Sequence, residues 1–119
     1  MATERPLRRL VTADGVVVAE HVETASTLWS RFWGLMGRRA LPAGHGLAIT
    51  PCSSIHMFFM RFPVDVAFVA GDGTVKRVYH GLRPWRVSRI VRGARTALEL
   101  PAGTLAAAGV EAGATLQLV

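Results

Sequence analysis

Short apolar segments alternate with breaks that contain glycine or proline along almost the whole chain. The apolar segments are rich in β-branched residues and are mostly of strand length, which favours β-strands over helices. Two breaks, at 13–15 and 71–73, contain a glycine that can adopt positive φ, so each predicts a hairpin turn. We predict strands at 6–12, 16–23, 46–50, 64–70, 75–80, 95–100 and 114–119.

One segment has the apolar spacing of an amphipathic helix. Bulky apolar side chains recur at helical spacing over 27–36, after Ser26, whose hydroxyl can cap a helix, and before Gly37, which suits a helix end. Residues 104–108 predict a further helical turn. Because the connections between strands are short, we expect mainly antiparallel pairing. The sequence therefore predicts a β-rich α+β fold, an antiparallel barrel or sandwich of about seven strands with one clear helix.

Composition limits the classes of protein to which the chain can belong. The length of 119 residues suits one domain, at 1–119, and 50% hydrophobic against 18% charged residues excludes a disordered chain. Cys52 is the only cysteine, so an intrachain disulfide or a zinc site of several thiolates is excluded. No apolar run approaches the ~20 residues of a spanning helix, and residues 1–9 lack the apolar core of a signal peptide. We therefore expect no transmembrane segment and a cytoplasmic location by default.

The formal net charge is +6, and part of this charge is concentrated between positions 83 and 95. An arginine stands at every third position of this stretch, which also contains Trp85. Guanidinium groups recognise phosphate and carboxylate, and a tryptophan can stack on a base. Pro84 and Gly93 argue against a single helix that would place the arginines on one face. The stretch fits either weak nucleic-acid binding or a solvated surface.

The segment 51–65 combines the only cysteine with a histidine, two methionines and three phenylalanines. Cys52, His56 and Met60 follow one another at intervals of four, which places them on one face of a strand or a helix. Their side chains are ligands that suit copper. The alternative is a buried cysteine, a hydrogen-bonded histidine and a methionine that fills a gap in the core. The candidates for the second histidine of such a copper site are His21, His45 and His80.

The same segment could also form a catalytic group. Cys52 could act as nucleophile with His56 as its base, and Asp65 could orient the imidazole. Asp65 lies within a predicted apolar strand, where a carboxylate needs an arginine or backbone N–H groups as partners. Glu99 lies in a similar apolar context. Whether Asp65 and Glu99 share one pocket stays open at this point.

Several short motifs occur in an order that is specific to one family. These are FWGLMGR at 32–38, PCSSIHMFFM at 51–60, PVD at 63–65, PW at 84–85 and ELPAG at 99–103. The chain resembles, over about residues 7–119, the small bacterial and archaeal family known as domain of unknown function 192. The resemblance implies a compact β-rich domain and brings no established activity. Many family members look exported, which leaves the location of this protein open.

We interpret the chain as a non-enzymatic module that binds a small ligand or a partner through a pocket around residues 52–65. An aromatic and apolar loop with a few polar groups is the usual make-up of a binding cleft. We expect no cofactor, with copper as the alternative, and a small molecule or a protein as the partner. The chain could instead be a Cys- and His-dependent enzyme or a weak nucleic-acid binder. The candidate ligand-binding residues are Cys52, Ser54, His56, Met60, Asp65 and Glu99.

Overall fold

Seven strands and one short helix make up the part of the chain that the computed structural model describes, residues 7–25, 40–54 and 61–119. Each strand lies where the sequence predicted one, and its ends differ from the prediction by at most two residues. The predicted helix at 27–36 lies outside the described residues. The elements are β1 (Arg8–Thr12), β2 (Val17–Ala25), β3 (His45–Ile49), β4 (Val64–Val69), β5 (Val75–Leu82), β6 (Thr96–Pro101), α1 (Thr104–Ala107) and β7 (Leu116–Leu118).

The strands form one curled sheet in the order β5-β4-β6-β3-β2-β1-β7. Neighbouring strands are antiparallel except β2 and β3, which run parallel. Parallel neighbours cannot be joined by a two-residue hairpin, and positions 26–44 separate β2 from β3 in the sequence. The predicted β-rich, mainly antiparallel architecture is confirmed, and it takes the form of a half-barrel.

The two edge strands of the sheet approach each other at one end of the half-barrel. Thr74, which precedes β5, forms a β-bridge with Thr115, which precedes β7. Next to this bridge, the amide of Val75 donates a hydrogen bond of 2.8 Å to the carbonyl oxygen of Ala114. These contacts pair backbone groups that an open sheet would leave unpaired at its edges.

Alternation of side chains along the strands gives the sheet an inner and an outer face, each with its own apolar core. The inner core is enclosed by the curled sheet, and the outer core contains Phe68 of β4. β4 packs on both faces, so all six of its residues are buried, and its sequence is apolar apart from Asp65. The buried outer core consists of Ala25, Leu41, Leu47, Ile49, Val64, Val66, Phe68, Val91 and Ala97.

The helix α1 is a single short turn that completes the inner core. Its Leu105 is fully buried there, and its N-cap residue, Gly103, has a φ of 93°. The predicted helical turn at 104–108 is confirmed, with Ala108 as the C-cap residue. Within the described ranges no helix is long and apolar enough to cross a membrane.

Closure of the half-barrel can be tested at the turn before β5. We expect Gly73→Ala to destabilise the protein more than Gly15→Ala. The two glycines have nearly the same φ, +92° and +88°, so an alanine has a similar conformational cost at each, about 1 kcal/mol. Only at Gly73 would the new Cβ meet backbone, the carbonyl oxygen of Leu116 at 2.7 Å. Denaturant titrations of both variants measure the difference, and equal losses of unfolding free energy would contradict this tight contact.

Candidate functional site

Asp65 is fully buried on the inner face, and backbone N–H groups surround its carboxylate. Its Oδ1 accepts a hydrogen bond of 2.8 Å from the amide of Gly81. Its Oδ2 accepts bonds of 3.0 Å from the amides of Gly103 and Leu105. The sequence left open whether an arginine or backbone groups would satisfy this acid, and the structure places backbone groups there. Asp65 therefore links β4 to the end of β5 and to the start of α1.

The three donors explain why an acidic residue is stable at this position. The first N–H groups of a helix have no partner within the helix, and they favour a negative charge beside them. No side chain of its own caps α1, so the carboxylate of Asp65 takes that role from a distant strand. Hydrogen bonds to a charged acceptor offset more of the cost of burial than neutral ones do. Asp65 therefore acts as a structural anchor between β4, β5 and α1.

Glu99 lies on the opposite face of the sheet from Asp65. Asp65 pairs with Leu100, the neighbour of Glu99, and successive residues of a strand point to opposite faces. Glu99 itself pairs with Val66 on one side and Leu47 on the other, and both of these belong to the outer core. Its side chain is 4% exposed. The two acids therefore do not share a pocket.

Cys52 packs against the outer core, so it is also separated from Asp65 by the sheet. Its Sγ donates a hydrogen bond of 3.0 Å to the carbonyl oxygen of Ser54, and its amide donates one of 2.8 Å to the carbonyl oxygen of Arg95. Ser54 is exposed. The structure thus does not bring together the cysteine and the aspartate of the predicted catalytic group. His56 and Met60 lie outside the described residues.

The histidines considered for a copper site lie at two places. The rings of His21 on β2 and His45 on β3 are neighbours, with centroids 5.0 Å apart. His80 lies elsewhere, with its Nε2 at 3.5 Å from an Oε1 of Glu111 at the surface. In the three described ranges, no group of three or more histidine, cysteine or acidic side chains is arranged to hold a metal ion. The copper hypothesis therefore gains no support from the described histidines.

The stretch 83–95, here called the arginine loop, connects β5 to β6 and projects its charges into solvent. Its five arginines are all exposed. Three large apolar side chains of the loop are exposed as well: Trp85 is 58%, Val87 60% and Ile90 77% exposed. Ser88, between Val87 and Ile90, and Val91, directly after Ile90, are buried. The loop is therefore anchored from within while it displays both cationic and apolar side chains.

Backbone hydrogen bonds fasten the arginine loop to the segment that begins the predicted pocket. The amide of Val91 donates to the carbonyl oxygen of Ser53 at 2.8 Å, and the carbonyl oxygen of Arg95 accepts the Cys52 amide. The amide of Arg95 donates to Val69 of β4, also at 2.8 Å. Residues 51–54 and the arginine loop thus form one continuous surface.

Tyr79 of β5 supports the middle of the arginine loop. Its hydroxyl oxygen accepts a hydrogen bond of 3.0 Å from the amide of Arg89. Its ring packs edge-on against Phe68, with centroids 6.1 Å apart, and the guanidinium carbon of Arg77 lies 5.0 Å from the ring centroid. The loop is therefore tied through one side chain to the outer core.

Tyr79, Val87 and Ile90 are members of this surface that the sequence does not identify. The sequence identifies Trp85 but not its φ of 69°. A positive φ is unfavourable for a tryptophan and indicates that the surrounding loop holds the backbone in place. No local signal in the sequence separates Val87 and Ile90 from Val91, a neighbouring aliphatic residue that is buried in the outer core.

A cavity of about 450 Å³ opens beside the C-terminal end of β4. Asp65 and α1 lie at the other end of this strand, its N-terminal end. The volume of the cavity is within the range of small-molecule sites. Both polar and apolar residues line it, and the described lining residues include no histidine, cysteine or arginine. Asp72, its one charged side chain, already accepts a hydrogen bond from the amide of Thr74. The arginine loop, by contrast, carries five exposed positive charges.

Comparisons with known proteins agree with this architecture. The model of the DUF192 family, described as an uncharacterised ACR, matches residues 9–118. The crystal structure of a proposed transcription regulator from Sinorhizobium meliloti 1021 is similar, with a TM-score of 0.79, 30% identity and coverage of 99% of this chain and 98% of that one. A protein of unknown function from Novosphingobium aromaticivorans DSM 12444 shares the fold, with a TM-score of 0.81, 22% identity and coverage of 95% and 84%. No curated protein matches the chain.

The anchoring role of Asp65 predicts a large loss of stability in Asp65→Asn. We expect the free energy of unfolding to fall by about 2–4 kcal/mol, because the amide nitrogen presents its own N–H groups to backbone N–H donors in a buried site. Asp72→Asn is the matched control. Asp72 also accepts a backbone N–H, from Thr74, which lowers the pKa of its carboxyl, but its side chain is exposed. A similar loss of stability in both variants, measured by denaturant titration, would argue against the anchor.

The hydrogen bond from Cys52 to Ser54 predicts an ordinary, slowly reacting thiol. A donor Sγ carries its proton, and the thiolate is the form that reacts with alkylating agents. We expect alkylation by iodoacetamide at pH 6 to be slower than that of free cysteine, since the side chain is also half-buried. Mass spectrometry of timed samples measures the rate. Alkylation faster than that of free cysteine at pH 6 would favour the Cys-dependent enzyme instead.

Proposed function

Because the chain belongs to the DUF192 family, as its motifs predicted, and that family is described as uncharacterised, we propose a function from the residues themselves: a non-enzymatic binding module for an anionic partner. The observation that carries the proposal is the charge of the arginine loop and its surroundings. From position 73 to position 98 the sequence has seven basic residues and no acidic one. All five arginines of the loop are exposed.

The electrostatics of this region favour an anionic partner. Like charges placed close together repel one another. The approach of an opposite charge to such a surface therefore lowers the electrostatic free energy. Arginine offers a planar fork of donors that fits phosphate and carboxylate groups. The arginine loop thus provides both attraction at a distance and hydrogen bonding on contact.

The anchoring of the loop also supports a binding role. The contacts with Ser53, Cys52, Val69 and Tyr79 hold its backbone before any partner arrives. A preformed surface loses less conformational entropy on binding than a flexible one. The segment predicted as a pocket, 52–65, then contributes in two ways: residues 52–54 fasten the loop, and Asp65 fixes Gly81 at its base.

Nucleic acid is a second candidate for the partner. One observation favours it: a relative of 30% identity, which matches over nearly the whole chain, is described as a proposed transcription regulator. The arginines would then contact backbone phosphates, and the affinity would fall steeply with salt. This candidate and the general proposal share the same cationic surface.

Binding to a generic polyanion tests the proposal. We expect the protein to bind a fluorescein-labelled heparin oligosaccharide at low salt, and Arg86→Gln with Arg89→Gln to weaken this binding at least about tenfold. Fluorescence anisotropy over a range of salt concentrations measures both affinity and salt dependence.

The matched control for this experiment is Arg8→Gln with Arg9→Gln. Both of these arginines are exposed on β1, and the change removes the same two positive charges. We expect the control to lose much less affinity than the loop variant. Equal weakening of the two variants would show that overall charge, rather than the loop, attracts the polyanion. No binding even at low salt would refute the proposal.

A further inference from the structure

We infer that the anionic partner is a lipid surface: the arginine loop binds the headgroups of an anionic bilayer while its apolar side chains enter the interfacial layer. This inference rests on the proposed function, because it identifies the partner of the same surface. It is carried by Val87 and Ile90, which are 60% and 77% exposed among the five exposed arginines of the loop.

The aliphatic side chains are the feature that an exclusively polar partner leaves unused. Single exposed apolar residues are common on protein surfaces, but here three large ones lie within six residues. Arginines alone suffice to contact phosphates, and a tryptophan can stack on a base, yet neither role involves Val87 or Ile90. A bilayer interface provides both an apolar layer for these side chains and a layer of anionic headgroups.

The residue types of the loop match the layers of a membrane surface. Tryptophan is enriched at the depth of the headgroups, where an apolar ring with a polar N–H is most stable. Arginine can lay its aliphatic stem along apolar neighbours while its guanidinium stays among phosphates. Trp85 lies between Arg83 and Arg86, and Ile90 lies between Arg89 and Arg92. The loop therefore combines insertion and charge attraction over a short length.

The charge of the region permits close approach to such a surface. Basic residues near an anionic bilayer each add to the attraction, and an acidic residue among them would oppose it. The stretch 73–98 has no acidic residue, and it also includes Lys76 and Arg77, both exposed on β5. Because the loop is anchored through Ser53 and Tyr79, its apolar side chains are presented without prior folding.

Vesicle sedimentation tests the inference with the full chain. The probes are vesicles of phosphatidylcholine alone and of phosphatidylcholine with about one third phosphatidylserine. We expect binding to the anionic vesicles only. Val87→Ser with Ile90→Ser should lower the partition coefficient at least about tenfold, because less apolar surface then enters the interface. The same variant should retain its affinity for the heparin oligosaccharide.

Leu7→Ser with Val16→Ser is the matched apolar control. These two side chains are 55% and 46% exposed at opposite ends of the β1–β2 hairpin, outside the arginine loop, so their change should leave vesicle binding unaltered. Because all four side chains are exposed, we expect every variant to keep its thermal midpoint, which circular dichroism measures.

The outcomes separate this inference from the proposed function. Binding of heparin or duplex DNA without binding of anionic vesicles would overturn the inference that the partner is a lipid surface. The protein would then be an anion-binding module, and binding of the DNA would identify nucleic acid as the partner. Wild-type vesicle binding by the Val87→Ser and Ile90→Ser variant would likewise overturn insertion of the loop. Failure to bind vesicles, heparin and DNA at low salt would refute both proposals.

Discussion

The carboxylate of Asp65 is the one polar group on which the arrangement of the described elements depends most. Burial of a charge is costly, and here three backbone N–H groups from two distant segments offset that cost. α1 has only four residues, too few to be stable as an isolated helix, and its first amides are satisfied from β4. The same carboxylate holds Gly81 at the end of β5. A single side chain therefore sets the positions of both a strand end and a helix start.

The position of the arginine loop follows from this constraint. The loop begins two residues after Gly81, and its middle and end are fixed by Tyr79, Ser53 and Cys52. The inner face of the sheet thus determines where the loop starts, and the outer face determines how it is held. The result is a loop whose backbone is anchored while its five arginine side chains are exposed. This combination suits recognition of a surface whose charges are not at fixed positions, such as a layer of headgroups.

The strands could be predicted from the sequence because their signals are local. Short apolar runs between turn residues predict all seven described strands to within two residues, and Gly73 marks the turn before β5. The faces could not be predicted, since they depend on which strands become neighbours. β6 lies between β4 and β3, neither of which precedes it directly in the chain. Only this pairing shows that Asp65 and Glu99 point to opposite sides, and that Cys52 lies on the side of Glu99.

The most unusual residues of the sequence are not the residues of the most accessible surface. This difference has a physical reason. A charged residue in an apolar segment needs hydrogen-bond partners when it is buried by folding. All the described hydrogen bonds of the Asp65 carboxylate come from backbone N–H groups. Exposed aliphatic side chains such as Val87 and Ile90 bury little area within the protein, so they add little to its stability. Their exposure beside the arginines is therefore not explained by folding, whereas contact with an interface that accepts both kinds of side chain does explain it.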